Sequence, residues 1–554
     1  MPFCTNCGAE VGENEKFCSN CGNPLQEDQK AVKKTTVKTS TPKVITSSRK
    51  TNKLIWVIVP VIVVVAAAYF LWPSNNIEFV DKNLEEAVRL AIGKTDGDIK
   101  KEDVEGLVEL DAAGKSIESI EGIEQLTSLQ ILNLSDNKIT DISPLGELTN
   151  LQELYIESNE FDISDNSLAR KIISQLKENR TKVKWIITFT KTFGGNDDDR
   201  IFSVLETKDG GYILAGTTKS YGSGNIEGWL MKIDEKGKEE WSKTFGGNDD
   251  DGIFSVLGTK DGGYILAGYT KSNGSGGQDG WLIKTDEKGK EEWSQTYGGK
   301  NNDGVFLVQQ TKDGGYILAG FTDPNGSSGL PDARVIKTDE KGREEWSKTF
   351  GGDGYDWISS IQQTKDGGYI LAGRTSSYGS EGSNGWLIKT DEKGREEWSK
   401  TFGGNDYDGF TTVQQTKDGG YILSGVLATD GAGNDGWLIK TDDKGKEEWS
   451  KTFGSDNEDW IRSIQQTKDG GYILAGYMNV NKLYGEGDIW LTKTDEKGKE
   501  EWSQTYRNGG HSISVQQTKD GGYILAGPTK SYDSEDSNAW LIKTDENGNV
   551  SDQQ

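Results

Sequence analysis

A chain of 554 residues with 33% hydrophobic residues, yet 17 Trp and 72 Gly, is too long for one core and too turn-rich and aromatic for a helical enzyme or a disordered polymer. Its net charge of −26 is polarised: residues 1–53 hold nine Lys/Arg against five Asp/Glu, residues 54–72 hold none of either, and the rest carries −30. An acidic body of that size repels nucleic acid, which is therefore not expected as a partner of the large C-terminal part.

In chain order, Cys4-Thr-Asn-Cys7 and Cys18-Ser-Asn-Cys21 come first, each followed by Gly (Gly8, Gly22), and no further Cys follows. Each pair presents two thiolates on a tight turn, and two such turns supply the tetrahedral sulfur shell that Zn²⁺ prefers. A pair of disulfides is the competing reading. Residues 1–25 resemble the short zinc-ribbon modules at the N-termini of many bacterial membrane proteins. With Cys4, Cys7, Cys18 and Cys21 all as ligands, the resemblance implies one structural zinc and no open catalytic position.

Residues 26–53, with eight Lys/Arg among Thr, Ser and Val, read as a flexible basic linker. The uncharged stretch at 54–72, LIWVIVPVIVVVAAAYFLW, has the length of a membrane-spanning helix, with Trp56, Tyr69 and Trp72 at the interfacial positions. A cleaved signal peptide is the alternative, but the segment starts far into the chain and stays apolar after Ala66-Ala-Ala68. Basic residues precede it and Glu78, Asp81, Glu85 and Glu86 follow. The N-terminus is thus expected in the cytoplasm and the C-terminal region outside, in a single-pass plasma-membrane protein. Cysteine usage agrees, since every thiol lies on the reduced side.

Leucines recur every 22 residues at Leu107, Leu129 and Leu151 and at Leu110, Leu132 and Leu154, with Asn137 and Asn159 at the turn position. This block, 77–182 with its caps, resembles the internalin-type leucine-rich repeats of bacterial surface proteins. The resemblance implies an N-terminal cap helix with Leu84, Val88 and Ile92 on one face. A second cap at 167–179 is expected to bury Leu168, Ile172, Ile173 and Leu176.

From residue 184 to 554 the motif Asp-Gly-Gly-Tyr-Ile-Leu occurs seven times, with tyrosines at 212, 264, 316, 369, 421, 472 and 523. Each unit parses into four strands joined by Lys-Asp-Gly-Gly and Asp-Glu-Lys-Gly turns, which predicts a seven-bladed all-β propeller. The last unit lacks a fourth strand, so the stretch ending in Lys-Thr-Phe193 is expected to supply it and close the ring. Twelve Trp fall at two repeat positions, as expected of packing between blades. Blade 3 departs, with Ala333-Arg-Val335 in the Trp slot. The units are similar to propeller repeat arrays of secreted and surface proteins of bacteria and archaea, a resemblance that implies fold and not chemistry.

The hairpin turns barely vary between copies, whereas the second-to-third and fourth-to-first loops vary freely, which makes the loop face the candidate binding face for a protein or glycan. Its recurring acids, Asp199, Asp251, Asp303, Asp356, Asp408 and Asp459, could attract Ca²⁺. They lack an EF-hand spacing and are read as turn caps. The single His, His511, and the absence of Cys after residue 21 leave no imidazole or thiol triad, so no catalytic or cofactor-binding residue is assigned. The expected function is a membrane-anchored extracellular binding and adhesion scaffold. The alternatives are a propeller glycosidase or lyase acting through paired carboxylates, or a sensor signalling inward through the ribbon.

Overall fold

The chain divides into two compact units, Met1–Ser74 and Asn75–Gln554. The computed structural model describes residues 75–161, 167–323, 330–404, 407–429, 433–454, 458–480, 487–509, 513–529 and 537–550. The four cysteines, the linker and the apolar stretch at 54–72 lie outside the described residues, as does His511. No helix among the described residues is long and apolar enough to cross a membrane.

The 22-residue period becomes a parallel ladder of Glu109–Asp111, Ile131–Asn133, Glu153–Tyr155 and Lys182–Lys184. Leu110, Leu132 and Leu154 align in register beneath it. Asn137 is buried, accepting from the Lys115 and Ile117 amides at 3.0 Å and donating to the Ala112 and Leu134 carbonyls at 2.9 Å. An interior amide with its bonds made costs little and fixes the turn. Helix α1 (Lys82–Ile92) caps the N-terminal side, burying Leu84, Ala87 and Val88. Its N-cap Asp81 also accepts from the Glu118 amide, so one carboxylate caps the helix and ties it to the first repeat. Helix α3 (Leu168–Glu178), which follows the short α2 (Lys101–Val104), caps the other end. Here the expected stripe is corrected. Ala169, Ile172, Ile173 and Leu176 face inward, whereas Leu168 is 61% exposed. Leu168 is the first residue of the helix and lies just outside the edge of that stripe, about 40° from Ile172 and about 90° from the stripe's centre.

The C-terminal part forms seven four-stranded antiparallel sheets. Blade 1 consists of Asp199–Glu206, Tyr212–Thr218, Glu227–Ile233 and Glu239–Phe245. Blade 4, at mid-ring, runs from Asp356–Gln363 through Tyr369–Thr375 and Asn384–Thr390 to Glu396–Phe402. In blade 7, Ser514–Gln517, Tyr523–Pro528 and Ala539–Thr544 are completed by Phe189–Phe193, which pairs antiparallel with Ala539–Lys543. The ring is therefore closed by the first strand of the propeller sequence. Trp185 and Ile186, just before that strand, pack into the leucine-rich-repeat core instead. First strands of successive blades adjoin all the way round, blade 7 back to blade 1, and so wall the central channel.

The conserved tyrosine and tryptophan belong to one contact between blades. The fourth-strand Trp of one blade meets the Asp-Gly-Gly-Tyr tyrosine of the next, as in Trp346–Tyr369 at 5.9 Å and Trp398–Tyr421 at 6.1 Å. It also lies on the left-handed glycine of that next blade's Asp-Glu-Lys-Gly turn: a Cβ on Gly394 (φ 70°) would stand 2.6 Å from the Trp346 ring. At the closure, Phe189 plays the tryptophan's part against Tyr212 and Gly237. Around the inner wall, glutamines bridge blades: Gln309 Oε1 accepts from the Gln363 amide, Gln362 from Gln415, Gln414 from Gln466, and Gln465 from Gln517. Blades 1 and 2 carry Leu205 and Leu257 at the corresponding place, packed against the apolar clusters.

Candidate binding face

The turn face is consumed by structure. In every blade the third strand carries a buried lysine, for example Lys389, whose Nζ reaches Asp366 of the Asp-Gly-Gly turn at 3.0 Å and Glu397 of the fourth strand at 3.0 Å. Equivalent lysine pairs hold blades 1 to 6. Lys543 of blade 7 pairs with Asp520, its fourth strand coming from the N-terminal side. In the turns, burial raises the Asp209 carboxyl, but bonds from Lys232 and Thr207 outweigh it and hold the group at about 2. The Thr259 and Lys284 bonds likewise hold Asp261 at about 2. Asp313, Asp366, Asp418 and Asp469 are also lowered, lysine and threonine bonds overcoming burial. A carboxylate with a depressed folded-state value stabilises above its unfolded value near 3.8 and loses that contribution as pH falls towards 2. The melting temperature should therefore be flat near neutrality and fall steeply below about pH 4. A melting temperature unchanged at about pH 2.5 would contradict this role for the turn carboxylates.

The recurring acids of the loop face are buried turn caps. Asp251 accepts from the Gly247, Lys271 and Ser272 amides and from the Thr270 and Ser272 hydroxyls. Asp199 and Asp356 repeat the pattern with Thr218 and Ser220, and with Thr375 and Ser377. Their oxygens are thus occupied by protein donors. No group of three or more His, Cys, Asp or Glu among the described residues is arranged to hold a metal. In blade 3 the arginine in the tryptophan slot does this work: Arg334 Nη1 reaches Asp303 at 3.2 Å and Nη2 reaches Glu344 at 3.6 Å. The irregular blade exchanges an indole for an ion pair.

The loop face also carries a run of aromatic rings. In blades 1 to 6 the first strand carries a β-bulge against the second, at Phe202, Phe254, Phe306, Ser359, Thr411 and Arg462. A bulge re-aims its side chain. Phe202, Phe254 and Phe306 meet around the wall in tilted and edge-to-face contacts, with successive centroids 5.0 Å apart. The row continues as stacked rings through Trp357, 4.8 Å from Phe306, and Tyr355, 6.0 Å from Trp357. Arg374 lies between Tyr355 and Tyr407, 4.8 and 5.0 Å from their centroids. Tyr407 meets Trp460 at 5.9 Å, and Trp460 meets Tyr477 at 6.0 Å. Arg462 covers both, at 4.4 and 5.3 Å. Blades 1 to 6 thus share one arc of rings at the channel mouth. The exposed large hydrophobic side chains of the propeller, Tyr221, Leu330, Tyr378 and Tyr407, all belong to loops of this face.

The leucine-rich repeats meet the opposite, turn face. Lys177 pairs with Glu546 and Lys236 with Asp136, both at 2.5 Å, while Arg170 lies over the Trp185 ring at 4.8 Å. A cleft of about 470 Å³ opens there between Ser158–Phe161 and the blade 1 and 7 turns.

Variability of the loops directs attention to this face, but the arc itself escapes the sequence, because strict alternation along a strand does not reveal a bulge. The recurrence of Phe at 202, 254 and 306, at bulge positions in three successive copies, was the available signal. The lysine triplets were also legible in principle, since Asp, Lys and Glu recur together in six units.

Residues 3–25 match the family described as a zinc-ribbon domain. Residues 105–147 and 127–169 match leucine-rich repeats, in two copies. Among solved structures, the chain is similar to an internalin (InlF) from Listeria monocytogenes, 36% identical over 20% of this chain and 30% of that one, with a TM-score of 0.17. Internalin C2 from the same organism is 30% identical over 20% and 49% of the two chains, also at 0.17. A protein of unknown function from Dyadobacter fermentans aligns over 64% of this chain and 99% of its own, at 13% identity and a TM-score of 0.38. The chain covers less than half the length of either internalin. It combines a zinc-ribbon domain, leucine-rich repeats and a seven-bladed propeller.

Proposed function

We propose that this protein is a membrane-anchored binding scaffold, crossing the bilayer once at 54–72 and holding the repeats and the propeller outside the cell. The observation that carries the binding role is the division of labour between the propeller's faces. Turn-face side chains are spent on ion pairs and on contacts with the leucine-rich repeats, while the loop face carries a partly exposed aromatic arc on a closed, rigid ring. Rigid scaffolds with adaptable loops are suited to recognition, and exposed aromatic patches mark interaction sites.

The anchoring rests on the length and apolarity of 54–72 and on its basic preceding flank. Carbonate extraction should leave the chain in the membrane pellet, and release into the supernatant would contradict the span.

The four thiolates of Cys4, Cys7, Cys18 and Cys21 form a donor set suited to a tetrahedral structural zinc. Cobalt substitution of the full chain should give the absorption of a tetrahedral tetrathiolate site, lost on adding a chelator. A chain without that spectrum, with its cysteines in disulfides, would contradict the assignment.

A further inference from the structure

Resting on the loop face as the binding face, we propose that the channel mouth over blades 4 to 6 binds a carboxylated polysaccharide, with Arg374 and Arg462 as its carboxylate receptors. In a chain of net charge −26, carboxylate partners for arginine are abundant. Arg200, Arg334, Arg343 and Arg395 each have one within the fold. Arg374 and Arg462, half-buried at the mouth, form no ion pair among the described residues. Each lies instead over two aromatic rings. Stacking fixes the guanidinium plane and, apart from a 3.4 Å bond from Arg462 Nη2 to the Tyr477 hydroxyl, leaves the N–H edges for a planar acceptor, the geometry that a carboxylate meets bidentately. The Trp460 Nε1 and Arg462 Nε groups are buried and have no hydrogen-bond partner among the described residues. With no ion pair to either guanidinium among the described residues, an oxyanion from outside would supply a paired charge.

The rest of the mouth favours a sugar chain over an acidic peptide. An extended peptide is bound most simply by pairing with open backbone groups. On the inner strands many of those groups are already taken by side chains: the Val413 and Val515 amides by Ser360 and Ser463, the Ile461 carbonyl by Thr411, and the Gln415, Gln466 and Gln517 amides by glutamines. Tyr378 and Tyr407, 46% and 43% exposed on the same face, offer the flat apolar surface on which sugar rings lie. Arg374 and Arg462 sit in blades 4 and 6, with Tyr407 between them. That spacing suits a polymer that repeats its charge.

The test uses the full chain in detergent, immobilised, with polygalacturonate, its methyl ester, dextran and poly-glutamate as probes at low and moderate salt. Polygalacturonate should bind, more weakly as salt rises, and the uncharged ester and dextran should not. The R374Q/R462Q variant should lose about tenfold or more in affinity, whereas R343Q/R395Q, which removes the same charge from the exposed turns, should bind as the parent does. The ester comparison needs no variant and stands even if R374Q/R462Q fails to fold. Equal binding of the ester, unchanged binding by R374Q/R462Q, or no binding of polygalacturonate would overturn the proposal. Arginine-dependent binding of poly-glutamate alone would overturn the ligand class while leaving the loop face as the binding face. Binding indifferent to R374Q/R462Q would remove the mouth itself.

Discussion

Phe189→Ala should destabilise the propeller by about 3–4 kcal/mol, a large effect for a residue far from the loop face. Phe189 is buried, meets Tyr212 at 6.4 Å and lies against Gly237, so it occupies the slot that a tryptophan fills in the other six blades. It also belongs to the strand that completes blade 7. Truncation therefore removes packing area, leaves a cavity between blades and loosens the strand that closes the ring. Thr190→Ala, an exposed position on the same strand, should change stability by less than about 0.5 kcal/mol. Denaturant unfolding of the two variants checks the difference. A Phe189→Ala cost below about 1 kcal/mol would mean that closure does not depend on this contact.

Gly373→Ala should cost about 3 kcal/mol or more, although it adds one methyl group. A Cβ at that position would stand 1.9 Å from the Trp357 carbonyl oxygen, backbone that cannot swing aside as a side chain can. Gly373 pairs with Ile358 at the edge of the blade 4 bulge, so relief would require the first strand to move. Trp357 and Arg374 would move with it, and the aromatic arc should be disturbed along with stability. The expected readout is a lowered unfolding midpoint together with altered near-ultraviolet circular dichroism from the stacked rings. A variant matching its parent in both would show that the approach is relaxed in solution.

Much of this architecture is readable before any coordinates. Strands separated by Asp-Gly-Gly and Asp-Glu-Lys-Gly turns, a 22-residue leucine period and a missing last strand are local signals, and each maps onto one element. What is not readable depends on relations between copies or on broken alternation. The bulge at Phe202, Phe254 and Phe306 interrupts the period of two that a strand reading assumes. Trp185, adjacent to a propeller strand in sequence, packs with the leucine-rich repeats because its neighbours in space are Arg170 and Ile173. Leu168 looks like a core residue by composition, but at the first helical position, on the edge of the buried stripe, it is left exposed. Arg374 illustrates the limit best. A lone arginine after Ala-Gly carries no sequence signal, and only the fold places it between Tyr355 of its own blade and Tyr407 of the next.

The repeated Asp-Gly-Gly-Tyr-Ile-Leu motif takes a different meaning from its abundance. Its aspartate binds a buried lysine, its second glycine admits the third-strand carbonyl, and its tyrosine receives the preceding blade's tryptophan. Each part is used for assembly. Uniformity on that face frees the loop face to vary.

The measurement closest to the central claim is labelling of intact cells with a membrane-impermeant maleimide, using a chain with Tyr378→Cys on the loop face. Because the native cysteines all fall in the first 21 residues, label at position 378 reports on the propeller alone. The introduced thiol should react from outside on intact cells, while Cys4, Cys7, Cys18 and Cys21 should react only after permeabilisation and zinc removal. Labelling of position 378 only after permeabilisation would place the propeller inside and contradict the account.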